Sequence, residues 1–119
     1  MNNEKSKSPL RDKSYAFAIQ AVKLSQFLVA DSKEFVLSKQ ILRSGTSIGA
    51  NIRESEFAAS KKDFTHKLTI ALKEANETEY WLMLLHDTNY LKTNEFNQLQ
   101  SLCKELIAML VSSIKTAKV

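Results

Sequence analysis

Apolar residues recur at steps of three and four in four successive stretches, the period of helices that each turn one face inward. In the first, from about Asp12 or Ser14 to Ala30, Phe17, Ala21, Leu24 and Leu28 form one stripe, and Tyr15, Ala18, Ile19, Val22 and Val29 form its neighbour. Together they predict one broad apolar face with Gln20 and Lys23 opposite. Phe27 falls on the polar side and is expected to wrap around or to meet a second surface. Asp31 to Glu34 is a short connection in which Asp31 or Ser32 is suited to cap the next helix.

The second helix is expected from about Glu34 or Phe35 to Ala59. Leu37, Ile41, Ser44, Ile48 and Ser55 make one line, with Leu42, Gly45, Gly49 and Ile52 beside it. Gly45 and Gly49 are the chain's two glycines. Four apart, they share a helix face where another backbone can approach closely. Each weakens a helix by about 1 kcal/mol relative to alanine, so continuity between Ser44 and Ala50 requires compensating tertiary contacts, and without them a kink. Asn51 lies on or beside the apolar line. A buried amide there reads first as a register device between helices, with a ligand or base contact as the alternative.

Ser60-Lys61-Lys62-Asp63 has the form of a capping box that opens a third helix running to Leu85 or Thr88. Phe64, Leu68, Ala71, Ala75, Thr78, Leu82 and Leu85 make its inner stripe. Ile70, Trp81 and Leu84 lie off that stripe, so with Phe27 they are candidates for a subunit contact. A fourth helix begins at Thr93 or Asn94 and buries Phe96, Leu99, Cys103, Leu106 and Leu110. Connections this short join antiparallel neighbours. The expectation is an all-α, antiparallel up-down-up-down four-helix bundle over residues 12–119, preceded by a short flexible basic arm over 1–11 that holds the sole proline.

Composition narrows the picture. At 119 residues the chain is one domain long, and two glycines and one proline leave too few turns for a β-sandwich or barrel. No apolar run spans a bilayer and the first residues are polar, which predicts a cytoplasmic protein without membrane partners. Cys103, the single cysteine, cannot form an intramolecular disulfide and is expected as a buried thiol. The net charge is +4, with 17 Lys and Arg against 13 Asp and Glu, which permits attraction to nucleic acid.

Catalytic chemistry is not apparent, and a non-enzymatic protein without metal or cofactor is expected. There is no Glu-x-x-His motif of the kind that builds di-metal sites in bundles, and His66 and His86 lie about five turns apart on one helix. Cys103 has no base on its stripe, and Gly45-Thr46-Ser47-Ile48-Gly49 lacks the Gly-Lys-Ser/Thr ending of a phosphate loop. The remaining candidates for ligand contact are the basic residues Arg43, Arg53, Lys61, Lys62 and Lys67. They look like ordinary solvated faces on a monomer, and form a positive ring if repeated around an oligomer.

The run S-I-G-A-N-I-R-E from Ser47 to Glu54, then S-K-K-D-F from Ser60 to Phe64, then I-A-L followed by E-x-E at Glu77 and Glu79, resembles the bacterial four-helix-bundle proteins encoded in intervening sequences of 23S ribosomal RNA genes. The resemblance extends from about Tyr15 to Ile114. Arg43, Asn51, Glu54, Lys62, Glu77 and Glu79 match the family pattern, whereas relatives often carry proline at the position of Gly49. It implies a homopentamer and, through similar pentameric barrels that serve diversity-generating retroelements, binding of RNA or of a protein partner. Two functions follow as expectations. One is a homo-oligomer that binds nucleic acid, RNA in particular, through symmetry-repeated basic residues; the other is a protein-interaction scaffold.

Overall fold

The computed structural model describes residues 8–118, which form α1 (Pro9–Ala30), α2 (Leu37–Ser55), α3 (Lys61–Asp87) and α4 (Thr93–Lys118). They make an all-α, up-down-up-down bundle. α1 and α3 each pack against α2 and α4, while the diagonal pairs stay apart across the core. At about 1.5 Å per residue the 27-residue α3 accounts for most of the 44 Å long axis.

Local chemistry sets the helix ends. α1 starts earlier than the periodicity predicts because Pro9 supplies a preset first-turn dihedral and the Ser8 hydroxyl accepts from the Arg11 amide at 3.1 Å. Residues 9–11 therefore belong to α1 with Ser8 as its cap, and residues 1–7 of the predicted basic arm lie outside the described residues. α2 starts later than expected, at Leu37. Neither Asp31 nor Ser32 caps it; the Glu34 carboxylate accepts from the amides of Val36 at 3.3 Å and Ser38 at 2.8 Å. Ser60 caps α3 as predicted, accepting from the Asp63 amide at 3.0 Å, and the Asp63 carboxylate in turn accepts from the amide of Ala59 at 3.1 Å.

The core is built from Phe17, Leu24 and Leu28 of α1, Ile41, Ile48 and Ile52 of α2, Leu68, Leu82 and Leu85 of α3, and Cys103, Leu106 and Leu110 of α4. One predicted stripe is not part of it. Tyr15 is 69% exposed, and Ile19 and Val29 are also exposed, while Ser14 and Ser25 are buried. Burial follows from how close α2 comes rather than from side-chain apolarity. A Cβ on Gly49 would lie 3.4 Å from the Ser14 carbonyl oxygen, and one on Gly45 would meet the Ala21 Cβ at 2.6 Å. Small residues occupy the points of closest approach on that seam, and α2 runs through both glycines without a break.

Cys103 is fully buried and its Sγ donates to the Ala75 carbonyl at 3.3 Å. Burial, with the Glu79 carboxylate adding, pushes the thiol up to about 12 from 9.0. The folded state thus holds its proton more tightly than the unfolded chain does. The thiol's contribution to stability is complete below the unfolded value and is lost as pH rises through 9 toward 12. In urea unfolding, the stability advantage of wild type over Cys103→Ala is expected to shrink above pH 9 by up to about 1.4 kcal/mol per pH unit. A pH-independent difference would show that the thiol titrates normally.

Candidate nucleic-acid interface

The five basic candidates separate into two groups according to the flank of the helix on which each lies. Arg43 projects from α2 toward α3, where its guanidinium pairs with Glu74 at 3.1 Å and with Glu77. Glu77 also accepts from the Trp81 indole N–H at 3.1 Å. Lys67 on α3 is paired with Glu54 of α2 at 3.1 Å. These cations tie helices together, and their charge is already opposed by carboxylates.

Arg53, Lys61 and Lys62 lie instead at the end of the bundle formed by the C-terminus of α2 and the N-terminus of α3. Arg53 and Lys62 are exposed and have no ion-pair partner among the described residues. Arg11, at the start of α1, reaches the same end and pairs with Glu56 at 2.9 Å. α2 stops at Ser55 and not at Ala59, and the amides of Phe57 and Ala58 turn back onto the carbonyls of Glu54 and Ser55. This turn leaves Phe57 79% exposed. Phe57 lines a small cleft of about 280 Å³ with Arg11, Arg53 and Glu56. The exposure of Phe57 is not visible in the sequence, where the helix is expected to continue to Ala59.

Gly45 is buried against Ala21 and Phe17, and Gly49 is half-buried against Ser14. The Asn51 side-chain N–H donates to the Ser47 carbonyl of its own helix at 2.9 Å. The buried polar contact that crosses from α3 to α2 is the Thr78 hydroxyl donating to Ser44 Oγ at 2.9 Å.

Of the four proposed subunit-contact residues, Phe27 lies on α1 while Ile70, Trp81 and Leu84 lie on α3. Phe27, 47% exposed, lines a cleft between α1 and α4 with Leu24, Leu91 and Leu99. Trp81 is half-buried against the core beside Glu77 and meets Tyr80 edge-on at 5.1 Å, and Ile70 is half-buried. The continuous apolar surface lies elsewhere. Tyr15, Ala18, Ile19 and Val22 of α1 run along the outside of the bundle, and Tyr15 and Ala18 join Thr46, Gly49 and Ala50 of α2 in an open cleft of about 500 Å³.

Among the described residues, no cluster of three His, Cys, Asp or Glu side chains is arranged to hold a metal, and no helix is long and apolar enough to cross a membrane. His86 stacks on Phe96 with ring centroids 4.4 Å apart, and its Nε2 lies 3.1 Å from the Thr93 hydroxyl oxygen.

The motif positions noted in the sequence now have a physical account. Glu77 and Glu79, two apart on α3, point to opposite flanks: Glu77 engages Arg43 of α2, and Glu79 lies 3.8 Å from Lys104 and 3.5 Å from Gln100 on α4. Glu54 holds Lys67. Of the charged positions matching the family pattern, Lys62 alone has no partner in such a tie among the described residues.

Comparison with known proteins agrees with this reading of the architecture. No curated protein matches the chain at a significant level. The chain is similar to a protein of unknown function from the S23 ribosomal protein family of Bacteroides thetaiotaomicron VPI-5482, known from a 1.70 Å crystal structure, with 57% identity and a TM-score of 0.88 over 89% of this chain and 98% of that one. The family model described as 23S rRNA-intervening sequence protein matches residues 7–112, and the chain belongs to that family.

Proposed function

We propose that this protein is a non-enzymatic, homo-oligomeric helical protein, pentameric by its resemblance, that binds RNA through basic residues repeated by symmetry. The observation that carries this reading is the pairing of two surfaces on one bundle. An apolar strip runs along the side of α1, and its cleft reaches Arg53 at the end of the bundle where Arg53 and Lys62 have no carboxylate partner among the described residues. Packing the apolar strip against a neighbouring subunit removes it from water, and closure of the assembly sets the cationic ends side by side. Single cations on a monomer attract a polyanion weakly; several acting together release enough counterions to give firm, salt-dependent binding.

The test is binding of a structured RNA across a salt series. Wild-type affinity is expected to fall steeply with salt, and Arg53→Glu, Lys61→Glu or Lys62→Glu to weaken binding and flatten that dependence. Arg43→Gln and Lys67→Gln are expected to have smaller effects on binding, because both cations already face carboxylates. Absent or salt-insensitive binding by wild type would sink the proposal. A second reading, a protein-interaction scaffold, draws on the half-exposed Phe27 in the α1–α4 cleft. Partners captured with the protein that survive nuclease treatment would favour it.

A further inference from the structure

We infer that Phe57 is a stacking platform for an unpaired base, flanked by Arg53 and Lys62 as phosphate contacts, so that the nucleic acid taken at this end of the bundle is single-stranded RNA. The inference rests on the RNA-binding reading above and deepens it. Phe57 is, at 79%, the most exposed of the chain's large hydrophobic residues among those described. Helix packing does not explain it, since it lies beyond the end of α2 in the turn leading to α3. Its cleft is lined by Arg11, Arg53 and Glu56, and Arg11 and Arg53 divide it from the cleft that holds Tyr15 and Ala18 of the α1 strip.

Those surroundings discriminate between occupants. A protein contact centred on one aromatic ring is normally ringed by other apolar groups and depleted of charge. An aromatic ring among cations is the arrangement by which single strands are held, the base stacking on the ring and the backbone tracking the positive groups. The nearby acids offset that field only in part. Glu56 is paired with Arg11 and Glu54 with Lys67, while Asp63 keeps its negative charge as it accepts from the Ala59 amide and is outnumbered by its neighbours Lys61 and Lys62. Arg53 is left facing the Phe57 cleft, with Lys62 in the first turn of α3 five residues further along the chain. A base within a duplex presents no free face to the ring, so stacking selects unpaired nucleotides.

The experiment is fluorescence anisotropy of the full chain with a labelled short oligouridine and, separately, a labelled RNA duplex of the same length. Phe57→Ala is expected to weaken oligouridine binding about tenfold and to leave duplex binding unchanged, because the cations remain. Phe57→Trp is expected to retain oligouridine binding, and its added emission is expected to be quenched as the strand binds. Light scattering of each variant runs alongside. An equal loss on both RNAs, no loss on oligouridine, or a change in oligomeric mass on Phe57→Ala would overturn the inference, the last assigning Phe57 to a subunit contact. If wild type binds duplex and the cation variants lose it while Phe57→Ala changes nothing, the RNA-binding reading stands and the stacking role falls. If wild type binds neither RNA, both fall.

Discussion

Gly45→Ala is expected to destabilise the fold by about 1–2 kcal/mol, while the same substitution at Gly49 is expected to be neutral or to stabilise by up to about 1 kcal/mol. The opposite outcomes follow from the two environments on α2. Both glycines have helical backbones, with no positive dihedral to protect, so alanine gains helix propensity at each. At Gly45 the new methyl would lie 2.6 Å from the Ala21 Cβ. That carbon is fixed to the α1 backbone and cannot rotate away, so the whole α1–α2 seam must open. Overpacking of this kind costs about 1–3 kcal/mol and outweighs the propensity gain. At Gly49 the nearest atoms, the carbonyl and hydroxyl oxygens of Ser14, stand at 3.4 Å, close to ordinary contact.

Urea unfolding of the two single variants measures this directly. The double variant Gly45→Ala with Ala21→Gly supplies the control, because it moves the methyl from α1 to α2 while keeping the total. It is expected to recover part of the loss, and a coupling well above about 0.5 kcal/mol would identify the contact itself as the cause. Equal effects at Gly45 and Gly49 would mean that propensity, and not the close approach of α1, governs the segment.

The same seam shows which features of the fold were legible in the sequence. A 3.6-residue period reveals that a helix has an apolar face, and all four helices were visible in that way. It does not reveal which of two adjacent apolar stripes meets the core. On α1 the larger residues Tyr15 and Ile19 remain outside while Ser14 and Ser25 are buried, because α2 approaches too closely for bulk. The glycine pair carried that information, but its partners on α1 lie 24 to 35 residues away and are not marked by any local pattern. The candidate site was only partly legible for a similar reason. Arg43 and Arg53 look alike along the chain, ten residues apart. Whether each is free depends on acids 31 and 34 residues downstream that reach Arg43 and not Arg53. Phe57 was obscured because the residues Glu56 to Ala59 contain no glycine or proline to announce the end of a helix.

The largest effect on assembly is expected from Ile19→Glu. Ile19 is 41% exposed on the outward strip of α1, between Tyr15 and Val22. In an isolated subunit a glutamate there stays hydrated, so stability by urea and helical content by circular dichroism are expected to change by little, within about 0.5 kcal/mol for the former. Within a subunit interface the same carboxylate would be stripped of water, and pairing it with Lys23 one turn along α1 would bury two charges in place of one apolar contact, which disfavours association. Light scattering is therefore expected to show an oligomer for wild type and a monomer for Ile19→Glu. Phe27→Glu, on the α1–α4 cleft, is expected to keep the wild-type mass. RNA affinity is expected to fall about a hundredfold or more in Ile19→Glu, although Arg53, Lys62 and Phe57 are untouched, because the basic ends no longer act as one multivalent surface. A monomeric wild type would remove the symmetry from the proposed function. An oligomer that survives Ile19→Glu would place its contacts on another face. An Ile19→Glu monomer that binds RNA as tightly as wild type would show that one bundle end suffices.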